Sequence, residues 1–123
     1  MHCIFCEINK GNIPSKTVFE NEHLRVIMDI NPDRNGHLLI IPKKHYTDFE
    51  EMDNELLSII NATAKEMKKV LYKALSPDGL VLVVNYGINQ MVKHYHLHLI
   101  PNHKVKQKIE DIDIIYNKIK SVM

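Results

Sequence analysis

Three histidines that alternate with apolar residues constrain the fold of this chain more than any other feature of its sequence. The run comprises His94, His96 and His98, interleaved with Tyr95, Leu97 and Leu99. Successive side chains of a β-strand point to opposite faces, so the pattern predicts three imidazoles on one face and the interleaved residues in a core. Imidazole can act as nucleophile, proton carrier or metal ligand near neutral pH. Three in register therefore indicate a functional face rather than a solvated one.

Size, charge and cysteine content narrow the class of protein. A length of 123 residues predicts one domain, residues 1–123. The net charge of +1, from 16 basic and 15 acidic residues, gives no case for nucleic-acid binding. No apolar run approaches the ~20 residues of a membrane span and the N-terminus lacks a signal-peptide pattern, so we expect a cytoplasmic protein without membrane association. Cys3 and Cys6 are too close together to staple a fold, which leaves them a metal-binding or redox role.

Turn formers and apolar periodicity divide the chain into short strands and three helices. We expect a short helix over residues 4–10, a long helix from an N-cap at Asp53 through residue 75, and an amphipathic helix over residues 109–122. The expected strands cover residues 17–20, 24–29, 37–41, 80–85 and 91–100. Strands joined by short turns, with one helix inserted, predict an α+β fold: an antiparallel five-stranded sheet with helices on one side.

A catalytic interpretation assigns the central role to His96. Neutral imidazole, whose unperturbed pKa is about 6.5, can attack phosphorus and hold the transferred group as a phosphoramidate. Such an attack requires one ring nitrogen to be free and the other to be bonded to an acceptor, for which the carbonyl of His94 is well placed. His98 could then donate to the phosphate oxygens. Phosphoryl transfer depends mostly on positioning and charge stabilisation, which neutral donors on a strand can supply.

A metal-binding interpretation of the same region stays open. Cys3-x-x-Cys6 alone is a weak zinc signal, and the remaining ligands would have to be histidines such as His45 and His94. Two thiolates and two imidazoles would complete a tetrahedral shell, which is typical of a structural rather than a catalytic zinc. Such a site would attach the N-terminal segment to the sheet. A metallohydrolase that uses all three histidines of the run is a further alternative.

Two other polar residues have both a functional and a structural interpretation. Asn85, between a strand and the histidines, could donate to an oxygen, or it could simply form a turn. Asp29, at the end of the second expected strand, could accept hydrogen bonds from two ribose hydroxyls, or it could be a solvated strand terminus.

Several motifs of the chain, taken in order, resemble the histidine triad, or HIT, superfamily. The run from His94 to Ile100 matches its His-φ-His-φ-His-φ-φ signature, where φ is an apolar residue. Further matching segments lie at residues 3–8, 13–15, 19–22, 28–30, 36–45 and 90–94, so that the resemblance covers about residues 3–103. The chain is most similar to the compact prokaryotic Hint-type branch. The resemblance implies a HIT-like fold and a homodimer whose sheets join across the interface.

The resemblance also implies roles for the matching residues. His96 would be the nucleophile that forms a nucleotidyl-histidine intermediate at the α-phosphate, oriented by the carbonyl of His94. His98 and His37 would contact that phosphate. Asn85 would lie near the phosphate and the leaving group, and Asp29 would bind the ribose hydroxyls. The implied nucleotide-binding set is Phe5, Ile8, Ile27, Asp29, Ile30, His37, Asn85, Gln90, Val92, His96 and His98.

Cofactors and substrates are implied by the same resemblance. A structural zinc would be held by Cys3, Cys6, His45 and His94, and no organic cofactor is expected. The expected reaction is hydrolysis of purine nucleoside phosphoramidates and related AMP conjugates. Hydrolysis of dinucleoside polyphosphates and non-catalytic nucleotide sensing are the alternatives.

The chain departs from the family pattern beside the position of the reacting phosphorus. Only Ile88 and Asn89 precede Gln90 in a loop that is usually longer, and Met91 stands where many members have a serine that contacts the phosphate. Both differences bear on rate and leaving-group preference. Ile27 replaces an aromatic residue that often lines the base pocket, which would loosen base stacking.

Overall fold

The computed structural model describes residues 3–123, which form one sheet and three α-helices. The helices are α1 (Ile4–Asn9), α2 (Asn54–Leu75) and α3 (Ile112–Ser121). The strands are β1 (Thr17–Glu20), β2 (Leu24–Met28), β3 (Leu38–Pro42), β4 (Gly79–Val83) and β5 (Leu97–Asn102). Among these helices, none combines the length and hydropathy that crossing a bilayer would require.

All neighbouring strands are antiparallel, in the spatial order β1-β2-β3-β5-β4. The chain adds β1, β2 and β3 in sequence, passes through α2 to the far edge at β4, and returns as β5 between β3 and β4. The last strand is therefore central, and its His98 lies opposite Leu39 of β3 and Val83 of β4. The predicted α+β class and the five-stranded antiparallel sheet are confirmed.

The two faces of the sheet bury different apolar sets, because neighbouring residues of a strand point to opposite faces. One face packs against α2 and α3, and the interleaved residues of the histidine run belong to this larger core as predicted: Tyr95, Leu97 and Leu99. The other face carries a smaller cluster that includes α1: Phe5, Ile8, Ile27, Leu39 and Ile41. The expectation that all helices lie on one side is therefore wrong for α1. A helix of six residues with two buried positions is too short for its sequence to indicate a face.

The long helix and the turn before β3 fit each other closely. The Asp53 carboxylate accepts from the Leu56 backbone N–H at 2.8 Å, and α2 ends at Leu75, as predicted. Gly36 adopts a φ of +84°, and a side chain there would collide with Leu75. Glycine is the residue that tolerates both conditions, so this turn delivers His37 to the start of β3 next to the C-terminal end of α2.

The histidine-bearing strand is shorter than expected. It begins at Leu97 rather than at residue 91, because the ladder with β3 covers only Leu97–Leu99 and leaves the preceding residues unpaired in the sheet. The backbone N–H of Tyr95 donates instead to the carbonyl of Tyr46. The alternation of side chains nevertheless continues through the preceding segment, since Tyr95 enters the larger core. The C-terminal helix also starts later than expected, at Ile112 after the N-cap Asp111.

Candidate active site

A groove of about 470 Å³ runs along the α1 face of the sheet. One wall comes from α1 and from the segment 13–15, the floor from β2 and β3, and the other wall from residues 85–92 and the histidine run. The lining residues are Ile4, Phe5, Ile8, Ile13, Pro14, Ser15, Ile27, Met28, Asp29, Ile30, Asn31, Leu39, Asn85, Asn89, Met91, Val92, His96 and His98. The lining set is largely apolar at one end, whereas the other end carries imidazoles and carboxamides.

Ring contacts define the order of the histidines, of which His96 and His98 line the groove. The ring centroids of His96 and His98 are 4.8 Å apart, and His98 and His37 are 5.1 Å apart. Phe5 lies edge-on to both His94, at 5.7 Å, and His96, at 5.1 Å. The helix α1 is therefore packed directly against the histidine run and holds two of its rings in place.

Hydrogen bonding determines which ring nitrogen of His96 carries the proton. Its Nδ1 lies 2.8 Å from the carbonyl oxygen of His94, which can only accept, so Nδ1 carries the proton and donates it. The Nε2 lone pair of the neutral ring is consequently free, and the ring lines the groove. This is the arrangement that a nucleophilic imidazole requires, and the hydrogen bond is the one predicted from the sequence.

A second chain of hydrogen bonds orients His98 from behind. The backbone N–H of Asp33 donates to His37 Nδ1 at 3.1 Å, so the proton of neutral His37 is on Nε2. That Nε2–H donates to His98 Nδ1 at 2.9 Å. The remaining proton of neutral His98 must then be on Nε2. The Asn85 carboxamide nitrogen lies 3.5 Å from it, and since both nitrogens are donors they do not bond to each other. His98 and Asn85 can thus approach the same group in the groove.

Burial keeps this row of histidines uncharged. Loss of hydration lowers the pKa of His37 and of His96 below the usual value of 6.5. Desolvation and then the neighbouring His96 lower the pKa of His98 to about 4. All three rings are therefore neutral at pH 7, which is the state that the hydrogen-bond directions above require.

Asp29 lies where the groove meets this row. Its Oδ1 accepts from the backbone N–H of Asn31 at 2.9 Å, and its Oδ2 lies 3.5 Å from His37 Nε2. The side chain is 19 % exposed and lines the groove, so one edge of the carboxylate stays available to a ligand. The interpretation of Asp29 as a freely solvated strand terminus does not fit these contacts.

Asp29, His37 and His98 bring ligand-type atoms within 4.8 Å of one another. This cluster is nevertheless a poor metal site, because the Asp33 N–H occupies His37 Nδ1 and so places a proton on the nitrogen that would have to bind the ion. The idea of one metal held by all three histidines of the run is not supported either. In residues 3–123, His94 belongs to a different ligand cluster and His96 to neither.

The second cluster joins α1 to the sheet through Cys3, Cys6, His45 and His94. The Nδ1 atoms of His45 and His94 are 3.2 Å apart. Cys6 Sγ is 3.3 Å from His45 Nδ1 and 3.5 Å from His94 Nδ1, and Cys3 Sγ is 3.4 Å from His94 Nδ1. A tetrahedral zinc with Zn–N of about 2.0–2.1 Å and Zn–S of about 2.3 Å has ligand–ligand edges of roughly 3.3–3.8 Å. The four separations given above lie at the short end of this range, so the donor set is compatible with such an ion.

Local structure explains why these four side chains converge. Cys3 is the N-cap of α1, and Cys6 follows one helical turn later, with its backbone N–H 3.5 Å from Cys3 Sγ. His94 donates from Nε2 to the carbonyl of Pro42 at 2.9 Å, which leaves its Nδ1 lone pair facing the thiols. The backbone carbonyl of His94 in turn accepts from His96 Nδ1. His94 therefore connects the cysteine cluster to the free imidazole of the groove.

Most of the residues predicted for nucleotide binding line the groove, and two do not. Those present are Phe5, Ile8, Ile27, Asp29, Ile30, Asn85, Val92, His96 and His98. His37 is 3 % exposed and lies behind His98 rather than in the groove. Gln90 is buried and donates from Nε2 to the Thr47 carbonyl at 2.6 Å, so it fixes the loop that precedes the histidines.

The structure also adds residues to which sequence reasoning gave no role. Ser15 and Asn89 line the groove, and the Asp33 N–H sets the proton position of His37. Ser15 belongs to a segment that matched the family pattern, which was a usable signal. A backbone amide in a turn has no counterpart in the side-chain pattern, so the Asp33 contact could not be inferred.

Comparison with known proteins gives consistent matches. A family profile described as HIT domain matches residues 10–105. An uncharacterized HIT-like protein of Methanocaldococcus jannaschii is 45 % identical over 105 residues, which are 83 % of this chain and 80 % of that protein. A protein of Schizosaccharomyces pombe named adenosine 5′-monophosphoramidase is 36 % identical over 103 residues, which are 82 % of this chain and 74 % of that protein.

A solved structure extends the similarity to nearly the whole chain. The crystal structure of a zinc-bound histidine triad family protein from Mycobacterium smegmatis superposes with a TM-score of 0.89 and 29 % identity. The match covers 98 % of this chain and 92 % of the other.

Proposed function

Because the chain belongs to the HIT family, we propose that it is a nucleotide-binding hydrolase that cleaves adenosine 5′-phosphoramidates or related AMP conjugates. The observation that carries the proposal is the His96 ring, which lines the groove and whose Nδ1 proton is held by the His94 carbonyl at 2.8 Å, so that Nε2 keeps its lone pair. The activity in the name of the Schizosaccharomyces pombe relative supports the substrate class.

The reaction follows from the positions of the protons. His96 Nε2 attacks the α-phosphorus, the new P–N bond joins AMP to the ring, and the bond from phosphorus to the leaving nitrogen breaks while that nitrogen takes up a proton from solvent and departs as an amine. The Nδ1–H of the imidazolium that forms stays bonded to the His94 carbonyl. Water then attacks the same phosphorus, the bond to His96 breaks, and the proton that the water loses returns to solvent, which releases AMP and restores neutral His96. His98 Nε2–H and the Asn85 carboxamide donate to the phosphate oxygens on which charge develops.

The groove favours a substrate with one phosphate over a dinucleoside polyphosphate. Its lining residues include neither lysine nor arginine to pair with additional phosphates. In the loop after Asn85, Ile88 and Met91 are 98 % and 88 % exposed, and the ammonium of the nearby Lys93 already donates to the Gly87 carbonyl at 2.6 Å. An uncharged or amine leaving group suits this end better than a chain of phosphates does.

We expect the purified protein to hydrolyse adenosine 5′-phosphoramidate with a kcat/KM at least about tenfold above that for diadenosine tri- or tetraphosphate, a difference of about 1.4 kcal/mol in transition-state binding. Release of AMP, measured by chromatography with each substrate at equal enzyme concentration, gives the ratio. Faster cleavage of a diadenosine polyphosphate would replace the proposal with the polyphosphate alternative. Tight AMP binding without turnover of any of them would favour a nucleotide sensor.

We also propose that Cys3, Cys6, His45 and His94 hold a structural zinc. The donor separations of 3.2–3.5 Å and the free Nδ1 of His94 support this assignment, as does the zinc-bound relative. Four protein ligands complete the shell, so the ion would attach α1 to the sheet without contacting substrate.

A homodimer that pairs β4 with β4 of a second copy is the third proposal. The two edge strands of the sheet are β1 and β4. Backbone carbonyls of β1 already accept hydrogen bonds from Tyr116 and Lys120 of α3, which leaves β4 as the edge available for pairing. The β4 edge carries Val81 and Leu82, which are 43 % and 51 % exposed. An exposed apolar edge strand is a ready site for strand pairing between chains.

Substituting Leu82→Lys is expected to convert the dimer into a monomer, because a charge at the paired edge of each copy would have to be buried next to its symmetry mate. Light scattering after size-exclusion chromatography should give two chains for the unmodified protein and one for the variant. The matched control is Phe19→Lys on the opposite edge, where Phe19 is 38 % exposed, and it should stay dimeric. A monomeric unmodified protein, or monomers in both variants, would contradict the assignment to β4.

A further inference from the structure

The hydroxyl of Ser15 stands out among the groove-lining residues, because the others that surround the apolar end offer no hydroxyl group. Ser15 precedes β1 on the groove face. The Met28 N–H donates to the Lys16 carbonyl at 2.9 Å, and Thr17 lies opposite Ile27. This register places Ser15 across from Asp29. The hydroxyl therefore lies at the junction between the apolar end of the groove and the carboxylate proposed to bind the ribose.

A fixed guanidinium group sets the direction of the hydrogen bonds at this junction. Arg25 donates from Nε to Asn9 Oδ1 at 3.2 Å, and its Nη2 pairs with Glu20 at 3.0 Å. Its Nη1 donates to Thr17 Oγ1 at 3.0 Å. With three separate partners, the guanidinium plane is held rigidly below the groove.

The Thr17 hydroxyl, which accepts from the Arg25 cation, also contacts the hydroxyl of Ser15. Thr17 Oγ1 and Ser15 Oγ are 2.8 Å apart. A hydroxyl oxygen that accepts from a cation becomes a stronger donor, so the favoured arrangement has Thr17 donating to Ser15. Ser15 then keeps its own proton for another acceptor, and among residues 3–123 its hydroxyl bonds only to Thr17. The proton is available to a ligand in the groove.

We propose that Ser15 is a specificity-determining residue that donates a hydrogen bond to the base acceptor nearest the ribose, which is N3 of a purine. The proposal rests on the proposed function, since it uses AMP in the groove with its ribose at Asp29. Apolar side chains, among them Phe5, Ile8 and Ile27, surround the rest of the base and provide packing without a directional hydrogen bond. The Arg25–Thr17–Ser15 relay thus supplies a hydroxyl donor whose direction is set by a fixed cation.

The test compares binding of AMP, 3-deaza-AMP and 7-deaza-AMP by isothermal titration calorimetry. One neutral hydrogen bond corresponds to about a fivefold change in affinity. The unmodified protein should bind 3-deaza-AMP about fivefold more weakly than AMP, and 7-deaza-AMP as tightly as AMP. In Ser15→Ala the AMP and 3-deaza-AMP affinities should become equal. Thr17→Val, which removes the relay but keeps Ser15, should reduce the difference, and the exposed-surface control Ser58→Ala should preserve it.

Equal binding of AMP and 3-deaza-AMP by the unmodified protein would overturn the role of Ser15. A loss with 2′-deoxy-AMP that disappears in Ser15→Ala would instead assign the hydroxyl to the ribose, which also overturns it. These results differ from failure of the proposed function. If AMP does not bind and no covalent adduct forms, the proposed function fails and takes the Ser15 proposal with it. If AMP binds and the adduct forms, only the Ser15 proposal is at stake.

Discussion

Replacing His96 with alanine is expected to lower kcat/KM for adenosine 5′-phosphoramidate by roughly 10³- to 10⁶-fold, because removal of a nucleophile abolishes the covalent route altogether. No neighbouring ring can take its place. His94 directs its free Nδ1 at the cysteines, and His98 Nδ1 is occupied by His37. The loss should appear in kcat rather than in KM, since the base and ribose contacts of the groove remain.

Intact-mass spectrometry checks the same step directly. After rapid mixing with the substrate and a quench that preserves a phosphoramidate bond, the unmodified protein should carry the mass of one AMP, and His96→Ala should carry none. The control is His23→Ala, which removes an exposed histidine from the turn between β1 and β2 and should leave both adduct and turnover unchanged. Turnover by His96→Ala at the unmodified rate would rule out the covalent mechanism. An adduct in that variant would move the nucleophile to another residue.

The features that could be inferred from the sequence depend on periodicity and short-range geometry. The alternation at residues 94–99 correctly placed Tyr95 in the larger core, and two-residue spacing along an extended chain brought His96 Nδ1 to the His94 carbonyl at 2.8 Å. The succession of strands and helices along the chain and the capping of α2 by Asp53 followed from turn formers and apolar patterning. All of these are set by residues close together in the chain.

The features that could not be inferred depend on contacts between distant segments. The place of His37 behind His98 is set by the Asp33 amide and by the β3–β5 register. The buried position of the Gln90 side chain depends on its hydrogen bond to the Thr47 carbonyl, 43 residues away in the chain. Where the β3–β5 ladder has ended, the Pro42 carbonyl accepts from the His94 ring and from the Asn9 carboxamide, both distant in the chain. Sequence patterns indicate which face a side chain takes, but they do not identify the partner that it meets there.

Loss of the zinc ligands is expected to destabilise the protein strongly while leaving the chemistry in place. Metal analysis should give close to one zinc per chain for the unmodified protein and close to none for Cys3→Ser, Cys6→Ser. An ion present at about a hundred times its dissociation constant adds about 2.7 kcal/mol to folding, which corresponds to a decrease of roughly 10 °C in the thermal midpoint when it is lost. The control His23→Ala should keep the thermal midpoint of the unmodified protein when both are measured by calorimetry at the same zinc concentration.

The same variant separates a structural metal from a catalytic one. The Pro42 carbonyl still holds His94 Nε2 when the thiols are gone, and the His94 carbonyl still holds His96 Nδ1. The double variant should therefore form the AMP adduct at a temperature well below its thermal midpoint. If adduct formation disappears while circular dichroism shows an intact fold, the metal takes part in the chemistry and the structural assignment is wrong. If the unmodified protein contains no zinc, the cysteines are free thiols, and α1 is held to the sheet by the packing of Phe5 and Ile8 and by the hydrogen bonds of Asn9 to the Pro42 carbonyl and to Arg25.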